Sequence, residues 1–121
     1  MQTVETMMRV HYLEIVAKDV DATCSAYAAA TNLHFGNPEP ELGNARIARS
    51  DDGHLVGVRA PMHEAEEPAV RPYWLVDDVE SAVAAAVDAG GEVVHPPLEI
   101  PGRGMFAIYT LGGVHHGLWQ L

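Results

Sequence analysis

The chain has 121 residues, of which 48% are hydrophobic, and its formal net charge at pH 7 is −10. This length and apolar content suffice for one compact domain with its own core. Seventeen acidic against seven basic side chains argue against a surface that follows nucleic-acid phosphates. No apolar run is long enough to predict a membrane span.

The cysteine content and the start of the sequence indicate a cytoplasmic location. Cys24 is the single cysteine, so an intrachain disulfide is excluded. The first ten residues, "MQTVETMMRV", lack the basic start, apolar core and cleavage site of a secretion signal.

In the first half, an apolar run from His11 meets Asp19, which is the pattern of a strand leading into a helix N-cap. A short strand is predicted around Phe35. The segment "ARIARSDDGHLVGVRA", from Ala45, then reads as strand, glycine-containing turn and strand. The predicted helix places the following side chains on one apolar face: Val20, Cys24, Tyr27 and Thr31.

The second half repeats this pattern. "VRPYWLVDDVESAVAAAVDA" from Val70 aligns with the segment from His11 at an offset of 70 − 11 = 59, which pairs Asp78 with Asp19. The segment from Met105 aligns with that from Ala45 at an offset of 105 − 45 = 60 and pairs Gly117 with Gly57. The remaining predicted features of this half are a helical face of Val79, Val83, Ala86 and Val87, a strand at Val93–Val94 and a loop over His95–Gly104, "HPPLEIPGRG".

Each half is therefore predicted as a βαβββ module of an α+β protein. Module one covers about residues 9–60, an acidic, proline-bracketed linker covers 61–70, and module two covers about 71–121. One helix on a four-stranded sheet leaves one sheet face uncovered, so the two modules must share a core. The expected fold is a cupped mixed sheet with the helices on its convex side and a cavity on its concave side.

Several motifs strengthen this interpretation: "VDDVESAVAAAVDAGGEVV" from Val76, "PPLEIPGRG" from Pro96 and the closing "GLWQL". With the βαβββ repeat, they resemble the vicinal oxygen chelate superfamily, which includes glyoxalase I, extradiol dioxygenases and drug-binding proteins of the bleomycin-resistance type. The resemblance covers residues 9–121 and implies the glyoxalase-like fold, but this fold serves several chemistries and some pure binding proteins.

The resemblance also locates the superfamily's usual metal site. Its ligands lie on the first and last strands of each module, at positions that here carry Tyr12, Arg71, Gly57 and Gly117. Glycine has no side chain, a guanidinium is always cationic, and a neutral phenol is a poor ligand for such ions. The resemblance therefore implies a scaffold that has lost this site, and no cofactor is expected.

Strand alternation gives the residues that should line the cavity. His115 and Trp119 should face it together with Gly117, whereas His116 should face away. The two glycines should leave room for a flat, partly apolar ligand, although the aromatic rings could instead fill the cavity as core. The predicted ligand-binding residues are Tyr12, Glu14, Leu55, Arg59, Arg71, Tyr73, His115 and Trp119.

Glu14 and His115 are the candidate catalytic residues. An unpaired Glu14 could act as a general base or bind a cation, whereas a pair with Arg59 or Arg71 would make it structural. His11 would become a metal ligand only if the strand register slipped by one residue. Four other histidines, His34, His54, His63 and His95, are interpreted as solvated residues of loops or strand ends.

Three functions fit these observations. The favoured one is a metal-free protein that sequesters an aromatic or cationic small molecule, as drug-resistance members of the superfamily do. The others are a metal-dependent lyase or dioxygenase that uses unorthodox ligands such as His11 and His115, and a metal-free isomerase or cyclase with Glu14 or His115 as acid/base. A homodimer is expected, with no nucleic-acid or membrane partner.

Overall fold

The structure is a computed structural model that describes residues 9–121. The prediction that the first ten residues form no secretion signal falls mainly on residues 1–8, outside the described residues. The elements in chain order are β1 (Arg9–Val16), α1 (Val20–Thr31), β2 (Pro38–Glu39), a 3-10 turn (Pro40–Leu42), β3 (Ala45–Arg49), β4 (Leu55–Arg59), β5 (Ala69–Leu75), α2 (Val79–Asp88), β6 (Glu92–Ile100), β7 (Gly104–Leu111) and β8 (Val114–Gln120).

The first compact unit spans residues 12–72 and contains a four-stranded mixed sheet in the order β2-β3-β4-β1. β3 is antiparallel to β2 and β4, and β4 runs parallel to β1 with Glu14 opposite Gly57. Helix α1 packs on one face of this sheet through Cys24, which contacts Ile15 and Val58. Burial raises the pKa of the Cys24 thiol, so this residue behaves as a small core side chain.

The second compact unit contains residues 9–11 and 73–121 and has the strand order β5-β8-β7-β6. β5 is parallel to β8 with Tyr73 opposite Gly117, and the other neighbours are antiparallel. Helix α2 packs on one face, where Val79 lies against Ala107 and Leu118. Both units are thus βαβββ modules, which confirms the predicted α+β fold class.

The strand registers confirm the repeat alignment. The opposed pair Glu14 and Gly57 in the first unit corresponds to Tyr73 and Gly117 in the second, with offsets of 73 − 14 = 59 and 117 − 57 = 60. These are the offsets found in the sequence. Glycine therefore occupies the same place on the last strand of both modules.

Both helices begin at the predicted aspartates. The Asp19 carboxylate accepts a hydrogen bond from the Ala22 amide, and Asp78 accepts from Glu80 and Ser81. These bonds satisfy amides that have no partner inside the helix. α1 ends at Thr31, and its C-cap residue Asn32 adopts the left-handed conformation with φ 63°.

Two local predictions were wrong. Phe35 lies before the short strand β2 and outside any strand. The predicted loop from His95 is strand as far as Ile100, and only residues 101–103 form the turn. β6 is the last strand of its sheet, and an edge strand tolerates the missing N–H groups of Pro96 and Pro97 because one side of the strand makes no ladder.

Within residues 9–121, no helix is long and apolar enough to cross a bilayer.

Candidate functional site

In the first unit, Glu14 lies between two guanidinium groups. Its side chain is 9% exposed, and its Oε2 accepts a hydrogen bond from Arg59 Nε at 2.8 Å. Its Oε1 accepts from Arg71 Nη1, which comes from the start of β5. Both carboxylate oxygens therefore face cations, which offsets the cost of burying this charge.

Glu66 from the linker completes this group. It accepts two hydrogen bonds from Arg59, from Nη1 at 2.9 Å and from Nη2 at 2.8 Å, and a third from the Met62 amide at 2.7 Å. Chiefly the hydrogen bond to Arg59 lowers the pKa of Glu66 to about 2, and the same bond raises the pKa of Arg59. We call Glu14, Arg59, Glu66 and Arg71 the charge network, and its formal charges sum to zero.

Tyr12 lies directly over Gly57. Tyr12 and Leu55 are buried, at 2% and 4% exposure, and they are opposed in the β1–β4 pairing. A Cβ atom built on Gly57 would overlap the Tyr12 hydroxyl and lie 2.6 Å from its Cζ. The room that the glycine was expected to leave is filled by the tyrosine.

The second unit repeats this arrangement. Tyr73 is 5% exposed, and a Cβ atom on Gly117 would overlap its ring and lie 2.6 Å from Cε2. Since Tyr73 corresponds to Glu14 and not to Tyr12, the two modules reach the same covering of a glycine from different strand positions.

The positions of the superfamily's usual metal ligands do not fit an ion. Tyr12 and Tyr73 cover the two glycines, and the Arg71 guanidinium is bound to Glu14. In the described part of the chain, no three side chains of the His, Cys, Asp and Glu types lie close enough together to hold a metal.

Five rings of the second unit form a continuous set that we call the aromatic layer. Trp119, 2% exposed, contacts His11 with a centroid distance of 5.5 Å and Tyr73 at 5.7 Å, the latter edge to face. Tyr73 contacts Phe106 at 6.3 Å, and Phe106 contacts His95 at 4.7 Å. Tyr73 and Trp119 form the buried base of the layer, while His11, His95 and Phe106 are half-buried.

The two adjacent histidines of β8 lie on opposite faces. His116 stacks on Tyr109, on the side of the sheet that α2 covers, with a centroid distance of 5.3 Å. His115 is opposite Thr110 and is exposed. The alternation therefore puts His115 on the same face as Trp119.

The turn between β6 and β7 holds the edge of the indole ring of Trp119. Trp119 Nε1 donates a hydrogen bond to the Arg103 carbonyl at 2.9 Å. The Arg103 amide in turn donates to the Ile100 carbonyl, which closes the turn. This contact orients the indole at the base of the aromatic layer.

A separate pocket of about 510 Å³ lies in the first unit, near the start of α1. Its charged lining residues bind each other, because Arg46 Nη1 donates to Asp21 at 2.9 Å. Arg46 Nε also donates to the Gly36 carbonyl at 2.8 Å. The charged side chains of this pocket are therefore already bonded to other groups of the protein. We take the aromatic layer as the stronger candidate for ligand binding.

Sequence reasoning missed three residues of these groups. Glu66 lies in the acidic linker, where nothing local distinguishes it from Glu64 or Glu67. Phe106 lies on a predicted strand, and its opposition to Trp119 could have indicated its face. His95 was predicted to be a solvated loop residue, but it is half-buried within β6 and contacts Phe106, because its face depends on the β6 register.

Several solved structures of low sequence identity share this fold. A hypothetical protein from Bacillus halodurans is 12% identical, with a TM-score of 0.73 and 94% of each chain covered. Methylmalonyl-CoA epimerase from Mycobacterium tuberculosis is 14% identical, with a TM-score of 0.70, 92% of this chain and 86% of that chain covered. A Streptomyces coelicolor methylmalonyl-CoA epimerase in complex with 2-nitronate-propionyl-CoA is 19% identical, with a TM-score of 0.67, 93% and 96% covered. The chain has the glyoxalase-like fold, as the resemblance to the vicinal oxygen chelate superfamily predicted.

Among individual proteins, the chain is similar to "Putative glyoxylase CFP32" of Mycobacterium bovis and of Mycobacterium tuberculosis. Each is 29% identical over 98 residues, which are 80% of this chain. The chain spans only 38% of the length of these relatives. No family model matches the chain.

Proposed function

We propose that the chain is a metal-free binding protein of the glyoxalase and bleomycin-resistance type that sequesters a small aromatic compound. The aromatic layer carries this proposal. Buried Trp119 and Tyr73 form a rigid base, and half-buried Phe106 and His95 offer ring surface to a ligand. Aromatic surfaces with a few polar groups are typical of sites for flat organic molecules.

The charge network favours an aromatic over a cationic ligand. Both oxygens of Glu14 accept hydrogen bonds from guanidinium groups. A cationic ligand would have to compete with a guanidinium group for either oxygen, and a carboxylate that already has two cationic partners gains little from a third. In this proposal, Glu14, Arg59 and Arg71 stabilise the first compact unit, as do Tyr12 and Leu55. The ligand site contains Tyr73, His115 and Trp119.

The burial of apolar surface can supply the free energy that micromolar binding requires. Removing about 300 Å² of apolar surface from water on the ligand and about as much on the protein contributes about 15 kcal/mol at about 25 cal/mol/Å², before association costs of at least about 4 kcal/mol. Dissociation constants in the micromolar range are then expected for rigid ligands. A binding protein needs no catalytic group, which agrees with the covered metal-ligand positions at Gly57 and Gly117.

The experiment that tests this function is titration of Trp119 fluorescence. A Trp74→Phe variant leaves Trp119 as the single tryptophan, because the chain has two. We expect naphthalene-type compounds to change this emission with micromolar dissociation constants, and choline to leave it unchanged. Failure of every aromatic compound to bind would contradict the proposal.

Neighbouring residues of β7 provide a matched control. Phe106 belongs to the aromatic layer, whereas Met105 packs on the opposite face with the α2 core. Phe106→Leu should weaken aromatic binding about tenfold, since a ring contact is lost, and Met105→Leu should leave it unchanged. Equal affinities of the two variants would place the ligand elsewhere.

A metal-free isomerase is the second candidate. The fold is shared with a methylmalonyl-CoA epimerase in complex with 2-nitronate-propionyl-CoA, and epimerisation requires transfer of a proton at carbon. His115 is the acid/base residue of this candidate. Exchange of the α-proton of an acyl-CoA in deuterated water, abolished in His115→Ala but not in His116→Ala, would favour it over simple binding.

A further inference from the structure

We propose that His95 determines the ligand's chemical class: its Nε2 accepts a hydrogen bond from an aromatic compound that carries an O–H or N–H group. This inference rests on the proposed binding function and assigns a role to a residue that the sequence placed in a solvated loop. The observations that support it are the β6 register, the tautomer of His95 and its contact with Phe106.

The register of β6 puts His95 on the ligand face. Val93 is opposite Tyr109, but the next pair is His95 with Ile108, so one extra residue is accommodated between them. A second extra residue precedes the pair of Leu98 with Phe106. In a regular ladder Val94 would face Ile108, and the bulge puts His95 there instead.

This register decides the surroundings of His95, because one face of β7 packs against α2 and the other belongs to the aromatic layer. Tyr109 packs with the α2 core, whereas Phe106 contacts Tyr73 in the aromatic layer. Ile108 is two residues from Phe106 and shares its face. β-Bulges re-aim side chains and are frequent beside functional sites, and here two of them flank one imidazole.

A backbone hydrogen bond selects the tautomer of His95. Nδ1 lies 2.7 Å from the carbonyl oxygen of Pro96. A carbonyl oxygen can only accept, so Nδ1 carries the proton and donates. In the neutral ring, Nε2 is then a hydrogen-bond acceptor. A ligand group that binds to Nε2 must therefore donate a hydrogen bond.

The position of His95 lets one ligand use both the ring surface and this acceptor. His95 and Phe106 are half-buried, with ring centroids 4.7 Å apart and planes inclined by 30°. Trp119 Nε1, in contrast, already donates to Arg103. His95 thus gives the layer an acceptor beside an accessible ring, which suits phenol-type or indole-type ligands.

The test compares 2-naphthol with 2-methoxynaphthalene, which has a similar ring system but no donor. Isothermal titration at pH 8 measures both ligands with the unmodified protein, His95→Phe and His95→Gln. We expect the unmodified protein to prefer 2-naphthol about tenfold, His95→Phe to lose this preference while still binding both, and His95→Gln, which keeps an acceptor, to retain part of it. His116→Phe is the control on the opposite face and should keep the full preference.

The outcomes separate the two proposals. If the unmodified protein binds neither compound, the binding function itself fails. If it binds both equally, or if the preference survives in His95→Phe, the role of His95 is wrong and the binding function stands. Circular dichroism of each variant establishes that a lost preference does not come from unfolding.

Discussion

At the scale of single residues, two tyrosines occupy the space above two glycines. The missing Cβ of Gly57 lets the Tyr12 hydroxyl rest on the backbone, and Gly117 does the same for the Tyr73 ring. These two glycines are the positions at which the resemblance to the vicinal oxygen chelate superfamily implies metal ligands. A side chain at either position would collide with a buried tyrosine.

Gly117→Ala should destabilise the protein by about 1–3 kcal/mol, the usual cost of overpacking a core. The added Cβ would overlap atoms near the root of the Tyr73 ring, where the side chain cannot move aside. Gly36→Ala is the control, since its Cβ would make only an ordinary contact of 3.8 Å with the Ile47 carbonyl. Urea unfolding of both variants measures the difference, and equal midpoints would contradict the packing described for Gly117.

Glu66→Gln should lower the free energy of unfolding at pH 7 by roughly 2 kcal/mol, because it removes a charge from a mostly buried network. The pKa of Glu66 is lowered from 4.5 to about 2 in the folded protein. A lowered pKa stabilises the fold above the unfolded value, and this contribution is lost as pH falls from about 4.5 towards 2. The difference between the two proteins should therefore shrink between pH 5 and pH 3.

The matched control for this experiment is Glu64→Gln, which removes an exposed carboxylate from the same linker. It should change stability by less than about 0.5 kcal/mol at any of these pH values. If Glu64→Gln and Glu66→Gln behave alike, the contribution of Glu66 is only its part in the net charge.

At the scale of elements, helix starts follow local sequence closely while the β6 strand does not. Asp19 and Asp78 cap their helices as their position after an apolar run predicts. In β6, the prolines and the two bulges break the alternation on which strand prediction depends. The proline-rich segment therefore has the pattern of a loop, although residues 95–100 form six of the nine residues of an edge strand.

Asp78→Ala should cost about 1 kcal/mol of stability, because the Glu80 and Ser81 amides lose their acceptor. Asp77→Ala is its control, since the adjacent aspartate is exposed and is not the cap. Thermal unfolding followed by circular dichroism compares them. A melting temperature lowered equally in both variants would show that α2 responds to charge near its N-terminus and not to the cap.

At the scale of the whole molecule, the two βαβββ modules have the same strand pattern but different buried side chains. The first compact unit contains the charge network and the second contains the aromatic layer. Two members of each set are at matching strand positions, Glu14 with Tyr73 and Arg59 with Trp119. Glu14 and Tyr73 show this contrast, because Glu14 is opposite Gly57 and Tyr73 is opposite the corresponding Gly117. The two modules therefore share their strand pairing but differ in the side chains at equivalent positions.

Purified protein incubated with Ni, Zn, Mn or Fe(II) should retain less than a stoichiometric amount of ion after gel filtration. The physical reason is the donor set, since tyrosine, arginine and two covered glycines replace the usual ligands. Elemental analysis measures the retained metal, with His115→Ala as the comparison. Stoichiometric binding that disappears in His115→Ala would instead assign the chain to the metal-dependent members of the superfamily.

The sequence by itself determined the two βαβββ modules, both helix caps and the division of β8 between two faces, because these depend on repeats and periodicity between near neighbours. Only the tertiary structure decided the partners of Glu14, which are Arg59 and Arg71, 45 and 57 residues away along the chain. It also decided that tyrosines cover the two glycines and that His95 faces Ile108. These features depend on side-chain rotamers and on a strand register with bulges, and neither leaves a periodic trace in the sequence.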